Sequence, residues 1–401
     1  MVAVAGLRGT GDFGDDERPK DFRSMILWLN PNGRAPLTAL MSKMRSESTS
    51  DPEFSWWEEV LQVVRVELDA EASDSAETIS LESGGLFLVR GDVLLVEGSS
   101  ESAGFEEELV EVTAVSGDGE IEVSRGVANT TPATIESGTY LTKIGNAYAE
   151  GTRSPDVASR NPEKLTNYCQ IFKTAYELTG TTEKTKFRTG DPLRNDKKRK
   201  MFDHSTALEM ALMFGKPHET ASTANGKPKR YTGGLRHFID EHVTVYTDSP
   251  DEDQFLDDIY RVFDYEGEGR GAGDERIVFA GNGFLNSLNK MAKDSNSTRV
   301  NFNGVVRTYG MALQEWVLPQ GRLYVRTHPL MNVHGRFQNS AFIVDPTGLR
   351  WRYLRDTRPQ DNIQHNDEDT HKGQWLTEGG LEVNHQQTMA YLGNFQYSSG
   401  D

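Results

Sequence analysis

The sequence predicts a fold of the α+β class, and three kinds of segment predict it. Phe54–Leu68 and Asn167–Leu178 alternate apolar and polar residues, as β-strands do. Short strand-like runs separated by glycine-containing turns fill residues 71–151, which is typical of a small β-sandwich or barrel. Apolar residues in Arg194–Phe214 recur at three- and four-residue spacing, which predicts a helix. With 401 residues, the chain is long enough for two or three domains.

The first 50 residues predict an extended arm with one short helix at Leu37–Met44. Glycine and proline recur through this segment, and a periodic apolar pattern begins only at the predicted helix. An arm of this kind cannot stabilise itself and needs another surface to lie on. A disordered tail is the alternative, but the interspersed Phe13, Phe22 and Trp28 count against it.

The two alternating runs are interpreted as partners in a long two-stranded arm, with the β-rich segment inserted at its tip. An isolated hairpin is marginal in water, so this arm also needs a surface to rest on. Ser116–Gly119 contains Asp-Gly, a strong signal for a hairpin turn. The strands predicted within the inserted segment are Leu86–Val89, Val93–Val96, Glu108–Val115, Glu120–Ser124 and Tyr140–Ile144.

The second half of the chain mixes helices and strands. Asp191-Pro192 predicts the start of the long helix, and Gly215 predicts its end. The remaining predictions are a loop at Asn225–Gly234, helices at Asp251–Phe263 and Asn282–Ala292, strands at Arg276–Ala280, Gly321–Thr327, Ala341–Val344, Leu349–Leu354 and Leu381–Leu392, and a polar link at Arg358–Gly373.

The formal net charge of −18 is unevenly distributed. Residues 51–120 contain 19 Asp and Glu but only two basic residues, Arg65 and Arg90. Basic clusters lie at Arg194–Lys200 and Arg350–Arg358. A chain this acidic is a poor candidate for broad binding of nucleic acid, which requires basic surfaces. The acidic stretch is either a solvated surface or one half of a self-complementary contact between subunits.

Candidate chemistry is sparse, and no catalytic, cofactor-binding or metal site is predicted. Cys169 is the single cysteine, and its place in an alternating strand favours a small core residue over a nucleophile. His365, His371 and His385 lie near acidic residues, but a solvated turn is favoured over a metal site. Gly281-Asn-Gly283 lacks the third glycine of a dinucleotide fingerprint, so a strand-to-helix turn is favoured.

The chain also shows no targeting or membrane signal. No stretch approaches the roughly 20 apolar residues of a membrane span, and the first residues lack a secretory pattern. Synthesis in a reducing cytoplasm is therefore expected.

The order of these parts resembles the Hong Kong 97-type fold of tailed-phage and herpesvirus major capsid proteins. The branch that it most resembles carries a β-module inserted in an extended loop. The segments that carry the resemblance are Gly91–Val96, Val123–Val127, Asn167–Phe172, Ala207–Gly215, Gly233–Leu235, Trp375–Glu378 and Leu381–Val383.

The resemblance implies a division of the chain into named parts. They are an N-terminal arm at 1–50, an extended loop at 51–70 and 156–190, an inserted β-domain at 71–155, the spine helix and peripheral domain at 191–265, an axial domain at 266–336, and peripheral strands with the C-terminal segment at 337–401.

The implied function is a non-enzymatic shell protein that assembles as hexamers and pentamers into the icosahedral head around the double-stranded DNA of a tailed phage. Scaffolding, portal and decoration proteins are the further partners that the resemblance implies, with weak contact to DNA and none to membranes. The protein would be made in the bacterial cytoplasm and reside in the virion. The residues expected at subunit contacts are Glu106, Glu107, Glu108, Arg194, Lys197, Lys198, Arg199, Lys200, Arg350, Arg352 and Arg355.

Two alternatives remain open at this point. One is the shell of a cellular nanocompartment with the same fold, which would enclose cargo enzymes. The other is a β-rich carbohydrate-active enzyme or adhesin, and the enzyme would need paired carboxylates about 5–9.5 Å apart in a cleft.

Overall fold

The computed structural model describes residues 45–59, 64–97, 108–155, 157, 159, 161–222, 225–265, 275–294, 305–308, 311–333 and 335–397. The chain divides into two compact units, one formed by the residues up to 56 and from 165 onward, the other by residues 57–164. The helix predicted at Leu37–Met44 lies outside the described residues.

The elements confirm the predicted mixture of helices and strands. The helices are α1 (Gly180–Lys184), α2 (Pro192–Phe214), α3 (Leu235–Phe238), α4 (Glu252–Tyr260) and α5 (Asn282–Asp294). The strands are β1 (Ser46–Ser48), β2 (Glu53–Glu58), β3 (Arg65–Glu67), β4 (Thr78–Ser80), β5 (Asp92–Val96), β6 (Leu109–Gly117), β7 (Glu120–Ser124), β8 (Tyr140–Asn146), β9 (Glu163–Tyr168), β10 (Gln170–Thr179), β11 (His218–Ala221), β12 (Pro228–Tyr231), β13 (Val243–Val245), β14 (Glu275–Ala280), β15 (Val305–Thr308), β16 (Met311–Val317), β17 (Arg322–Thr327), β18 (Ala341–Val344), β19 (Leu349–Gln360), β20 (Thr370–Val383) and β21 (Ala390–Gly393).

A mixed seven-stranded sheet, in the order β13-β21-β18-β14-β17-β16-β15, forms the centre of the larger unit. Its central strand β14 is buried on both faces because alternate side chains enter two different cores. Ile277 and Phe279 pack with the C-terminal end of α2, whereas Val278 and Ala280 pack with residues of α4 and α5. The sheet is therefore a layer between helices.

The larger unit also contains a four-stranded sheet in the order β1-β19-β20-β10. The strands β10, β20 and β19 are antiparallel neighbours, and β1 runs parallel to β19. The helix α2 begins at the predicted Asp191, whose carboxylate accepts a hydrogen bond from the backbone N–H of Leu193 at 2.9 Å. It ends before Gly215 as predicted.

The smaller unit is a closed barrel with the strand order β3-β8-β5-β6-β7-β4. The two ends of this order meet, because Leu68 bridges to Leu81 and the N–H of Glu82 donates to the carbonyl of Glu67 at 2.9 Å. Closure removes the exposed sheet edges. Each strand contributes a buried side chain to the interior, and these are Val66, Ile79, Leu94, Val110, Ile121 and Leu141.

The predicted partner of Asn167–Leu178 was wrong for all but the first two residues of the run, which belong to β9. The run does form strand, but β10 pairs with β20, whereas β2 pairs with β9. The change of partner occurs at Cys169, whose N–H donates to the carbonyl of Pro52 at 2.7 Å. The predicted strand Phe54–Leu68 is present as the separate strands β2 and β3, and residues 60–63 between them lie outside the described residues. Alternation predicts a strand but says nothing about its partner.

Three smaller predictions were also wrong. Leu86–Val89 is not a strand, because Gly85–Phe87 forms a 3-10 turn after Gly84, which has a φ of 89°. The predicted loop Asn225–Gly234 contains β12, which forms a hairpin with β11. Leu381–Leu392 is broken by a 3-10 turn at Gln386–Thr388, where His385 takes a φ of 55°. The hairpin at Ser116–Gly119 is confirmed by the pairing of β6 with β7.

Candidate functional site

The acidic residues expected at subunit contacts lie in or next to the barrel. Glu106 and Glu107 are outside the described residues. Glu108 is buried, and its two carboxylate oxygens each accept a hydrogen bond from Arg125 at 2.7 Å. Although burial by itself raises the pKa of Glu108, the bonds from Arg125 and from the N–H groups of Ala133 and Gly126 hold that pKa below its usual value. A side chain that is buried and bonded within its own barrel is a poor candidate for a contact with another subunit.

The basic residues of α2 lie in the N-terminal half of the helix. Lys197 donates to Asp361 at 2.8 Å, and the hydroxyl of Tyr176 donates to the same carboxylate. The bond to Asp361 raises the pKa of Lys197 and, reciprocally, lowers that of Asp361. The ring of Tyr176 passes over Gly373, where a Cβ atom would lie 2.2 Å from the tyrosine oxygen.

The remaining predicted residues of α2 have other environments. Arg194, Lys198 and Arg199 are exposed, and Lys200 lies 3.7 Å from Asp203, one turn further along the helix. These side chains form the basic surface of the helix. The contact between subunits expected of these residues stays a prediction, and the acidic partner of Lys197 was not foreseen.

The three predicted arginines of β19 have partners within the same chain. Arg352 binds both Glu382 and, at 2.5 Å, Glu47. Arg355 binds Glu378 at 2.5 Å, and Arg350 lies 3.7 Å from Glu382. Burial by itself lowers the pKa of Arg352, but its bond to Glu382 raises that pKa above the usual value.

These pairs align β19 with its neighbours, because the two glutamates belong to β20 and Glu47 belongs to β1. Cross-strand charge pairs favour one register over its alternatives. The acidic partners were missed because residues that lie 23, 30 or more positions apart in the sequence carry no local signal of their pairing.

Two polar contacts of α2 are buried. His204 lies between β10 and β20, with Nδ1 3.1 Å from the hydroxyl of Thr174 and Nε2 2.8 Å from that of Thr377. Burial lowers the pKa of His204. Nearer the end of the helix, Glu209 lies 2.7 Å from Nε2 of His328, and both side chains are fully buried. Neither contact was predicted, because each partner comes from a distant strand or loop.

Cys169 is a buried core residue, as predicted. It packs with Phe54 and Trp56, and burial raises the pKa of its thiol to about 12. A thiol with such a pKa is almost entirely protonated at neutral pH, so it is a poor nucleophile.

The other candidate sites yield no chemistry within the described part of the chain. No group of three His, Cys, Asp or Glu residues there is arranged to hold a metal ion. In the same residues no helix is long and apolar enough to cross a membrane. Gly281 and Gly283 lie at the turn from β14 into α5, where the loop around Gln338 and Asn339 leaves no room for a Cβ atom. Close packing explains these glycines.

Comparison with known proteins identifies a family. The profile of the family described as "SU10 major capsid protein" matches residues 6–396. The major capsid protein of Pseudomonas phage PaMx41 is 26% identical over 361 residues, which cover 88% of this chain and 83% of that protein.

Solved structures show a weaker similarity. The capsid of the native GTA particle has a TM-score of 0.47 at 10% identity and covers 98% of this chain and 100% of its own. The capsid of Myoviridae phage XM1 has a TM-score of 0.44 at 9% identity, covering 97% and 99%. The holo-SrpI encapsulin complex of Synechococcus elongatus PCC 7942 has a TM-score of 0.43 at 10% identity, covering 60% and 79%.

Proposed function

Because the chain belongs to the SU10 major capsid protein family, we propose that it assembles as hexamers and pentamers into the icosahedral head of a tailed phage. The observation that carries the proposal is the family match, which spans residues 6–396 of 401. The chain is thus a structural protein of a phage shell. The head would enclose a double-stranded DNA genome.

The division into an arm, an extended loop, an inserted β-domain, a spine helix and peripheral and axial domains belongs to the same proposal. The helix α2 is the element that corresponds to the spine. It contacts the four-stranded sheet through His204 and the core of the seven-stranded sheet through Leu212 and Met213. A single helix that joins two sheets is suited to transmit rigidity through a subunit.

Contacts between subunits are supported by the uneven charge. Residues 51–120 carry most of the excess negative charge, and Arg194, Lys198 and Arg199 present a basic surface on α2. Surfaces of opposite charge favour the association of one copy of the chain with the next. Arg350, Arg352 and Arg355 belong to the same proposal, although glutamates of their own chain bind them.

The further partners of the head are scaffolding, portal and decoration proteins. Contact with packaged DNA is weak, since a net charge of −18 opposes broad binding to phosphate. Synthesis takes place in the host cytoplasm, and the mature protein resides in the virion.

Expression followed by negative-stain electron microscopy tests the proposal. The expected result is closed shells of uniform diameter, formed by the chain alone or with a co-expressed scaffolding protein. Assembly that weakens as the salt concentration rises would agree with charged contacts between subunits. Soluble monomers under both conditions would contradict the proposal. Shells that contain enzymes instead of nuclease-protected DNA would indicate a nanocompartment.

A further inference from the structure

Two Asn-Gly pairs lie within the described residues, and the fold places them in different surroundings. Asn225-Gly226 lies in the turn of the β11–β12 hairpin, and Asn282-Gly283 lies at the start of α5. Both asparagines are exposed. In an Asn-Gly pair the backbone nitrogen of the glycine can attack the side-chain amide of the asparagine, because glycine has no Cβ atom to obstruct the approach. The chain therefore presents the same reactive pair in two backbone environments.

The hairpin turn holds the side chain of Asn225 close to the backbone that follows it. Its oxygen Oδ1 accepts a hydrogen bond from the N–H of Lys227 at 3.1 Å, which is an Asx turn. The ring closed by this bond contains both Cγ of Asn225 and the nitrogen of Gly226, so the two reacting atoms are kept near each other. Negative charge develops on Oδ1 when Cγ is attacked, and the N–H of Lys227 stabilises that charge.

The backbone at Gly226 has room to move into the reactive geometry. Its φ is 67°, and no atom of the described residues beyond its chain neighbours lies within 4 Å of the place where a Cβ atom would be. One hydrogen bond must open first, because the N–H of Gly226 donates to the carbonyl of Ser222 at 2.8 Å. Hydrogen bonds in exposed turns open at a low cost in free energy. The nitrogen of Gly226 is then available for attack.

The second pair is fixed by its neighbours. Oδ1 of Asn282 accepts a hydrogen bond from the hydroxyl of Thr327, and the backbone N–H of Asn282 donates to the side chain of Asn332 at 2.7 Å. A Cβ atom at Gly283 would lie 2.0 Å from the side-chain oxygen of Asn339, so the backbone there is closely packed. Attack by the nitrogen of Gly283 would require these contacts and the first turn of α5 to open together.

We propose that Asn225 deamidates spontaneously in the folded chain, whereas Asn282 is protected. The nitrogen of Gly226 forms a bond to Cγ of Asn225 and loses its proton to water. The amide nitrogen Nδ2 takes up a proton from water and leaves as ammonia, which completes a five-membered succinimide ring. Water then opens the ring. Hydrolysis at Cγ gives aspartate, and hydrolysis at the backbone carbonyl gives isoaspartate, in which the main chain runs through the side-chain carbon.

The reaction changes the charge of a basic segment. Residues 216–231 contain four basic residues and one acidic residue, so their formal charge is +3, whereas the whole chain has a net charge of −18. Each deamidation lowers the charge of this segment by one. An acidic surface in contact with the hairpin would lose one favourable charge as the protein ages.

Incubation of the purified chain at mildly alkaline pH tests the proposal. Peptides that contain residue 225 should gain about one dalton, the difference between an amide and a carboxyl group. The rate should be at least about tenfold higher than for peptides that contain residue 282. Methylation of the isolated peptides by an isoaspartyl methyltransferase detects isoaspartate, and the Asn225→Asp variant supplies the aspartate product as a reference.

The matched variant is Asn225→Gln, because a glutamine would have to close a six-membered ring, which forms much more slowly. Its peptide should keep its mass while every other peptide behaves as in the wild type. Unfolding in urea provides the control for the fold. In the unfolded chain Asn225 and Asn282 should react at similar rates, since Asn282 has then lost the contacts that protect it.

Two results would overturn the proposal. One is an Asn225 that stays intact in the folded chain over a period in which both asparagines react in the unfolded chain. The other is an equal rate at Asn225 and Asn282 in the folded chain, since the fold would then select neither. Both measurements are made on the folded chain without assembly, so they hold whether or not shells form.

Discussion

One face of the helix α2 is exposed in the N-terminal half of the helix and buried in the C-terminal half. Arg194 and Leu212 are 18 residues apart, which is five full turns, so they occupy the same angular position. Arg194 is exposed, whereas Leu212 is 1% exposed and belongs to a core shared with the seven-stranded sheet. The comparison indicates that the C-terminal half of the helix stabilises the subunit, whereas the N-terminal half is exposed at the same angular position.

The polar contacts of the two halves differ in the same way. The Glu209–His328 contact of the C-terminal half is fully buried, whereas Lys197 and Asp361 in the N-terminal half are partly exposed. Solvent screens the second contact but not the first. The two N–O distances are similar, at 2.7 Å and 2.8 Å, yet the two contacts are not expected to contribute equally to the stability of the fold.

The largest expected effect is that of removing a core side chain from the C-terminal half. Leu212→Ala should lower the free energy of unfolding by about 2–5 kcal/mol, because a cavity remains in a core that cannot fully collapse. Arg194→Ala is the matched control at the same angular position and should change stability by no more than about 0.5 kcal/mol. Urea denaturation of the unassembled chain measures both. Equal effects of the two substitutions would contradict the distinction between the two halves.

The next effect is expected at the buried contact of Glu209. His328→Leu should cost about 1–3 kcal/mol of unfolding free energy, because the carboxylate loses a hydrogen bond without gaining water. His328→Gln retains a side-chain donor and should cost less. The same denaturation measurement compares them, and a leucine variant as stable as the glutamine variant would show that the contact adds nothing to stability.

Local signals account for the parts of the fold that the sequence predicted. Asp191 and Gly215 delimit α2 because a side-chain cap and a helix-ending glycine act within a few residues. The Asp118-Gly119 hairpin has a comparable local origin.

The errors arose where the partner is distant. The pairing of β10 with β20 joins residues that are more than 190 positions apart in the sequence. The alternation of apolar and polar residues within β10 carries no information about so distant a partner. Leu86–Val89 was predicted as strand from its apolar residues, yet Gly84 and the carboxylate of Asp118 hold a turn there. The basic residues of the candidate contact were chosen because they cluster in the sequence. Asp361, Glu378 and Glu382 became visible as their partners only in the fold.

A smaller effect, and one that depends on pH, is expected at His204 in the middle of α2. Burial lowers the folded-state pKa of this histidine below 6.5, so the unfolded chain binds the proton more readily. Its contribution to stability should therefore be complete above about pH 6.5 and decline as the pH falls through that value towards the lower folded-state pKa.

The measurement is the unfolding free energy at about pH 5 and about pH 7.5 for the wild type and His204→Gln. The wild type should lose more stability at the lower pH than the variant does, because the variant lacks this one histidine. Identical losses would show that the titration of His204 does not couple to folding.

The smallest effect is expected at the contact between Lys197 and Asp361 in the N-terminal half. Asp361→Asn should cost about 0.2–1 kcal/mol, because both groups are partly exposed and their attraction is screened. The folded-state pKa of Asp361 is lowered mainly by Lys197, so the contribution of this contact to stability is present above about pH 3.8 and declines as the pH falls through the folded-state value.

Denaturation at low and high salt checks the prediction for Asp361→Asn, since the difference in unfolding free energy between wild type and variant should shrink as the salt concentration rises. A buried pair would instead cost more than about 3 kcal/mol when it is broken, and salt would not change that cost. Such a result would show that this end of α2 belongs to the core and not to the surface.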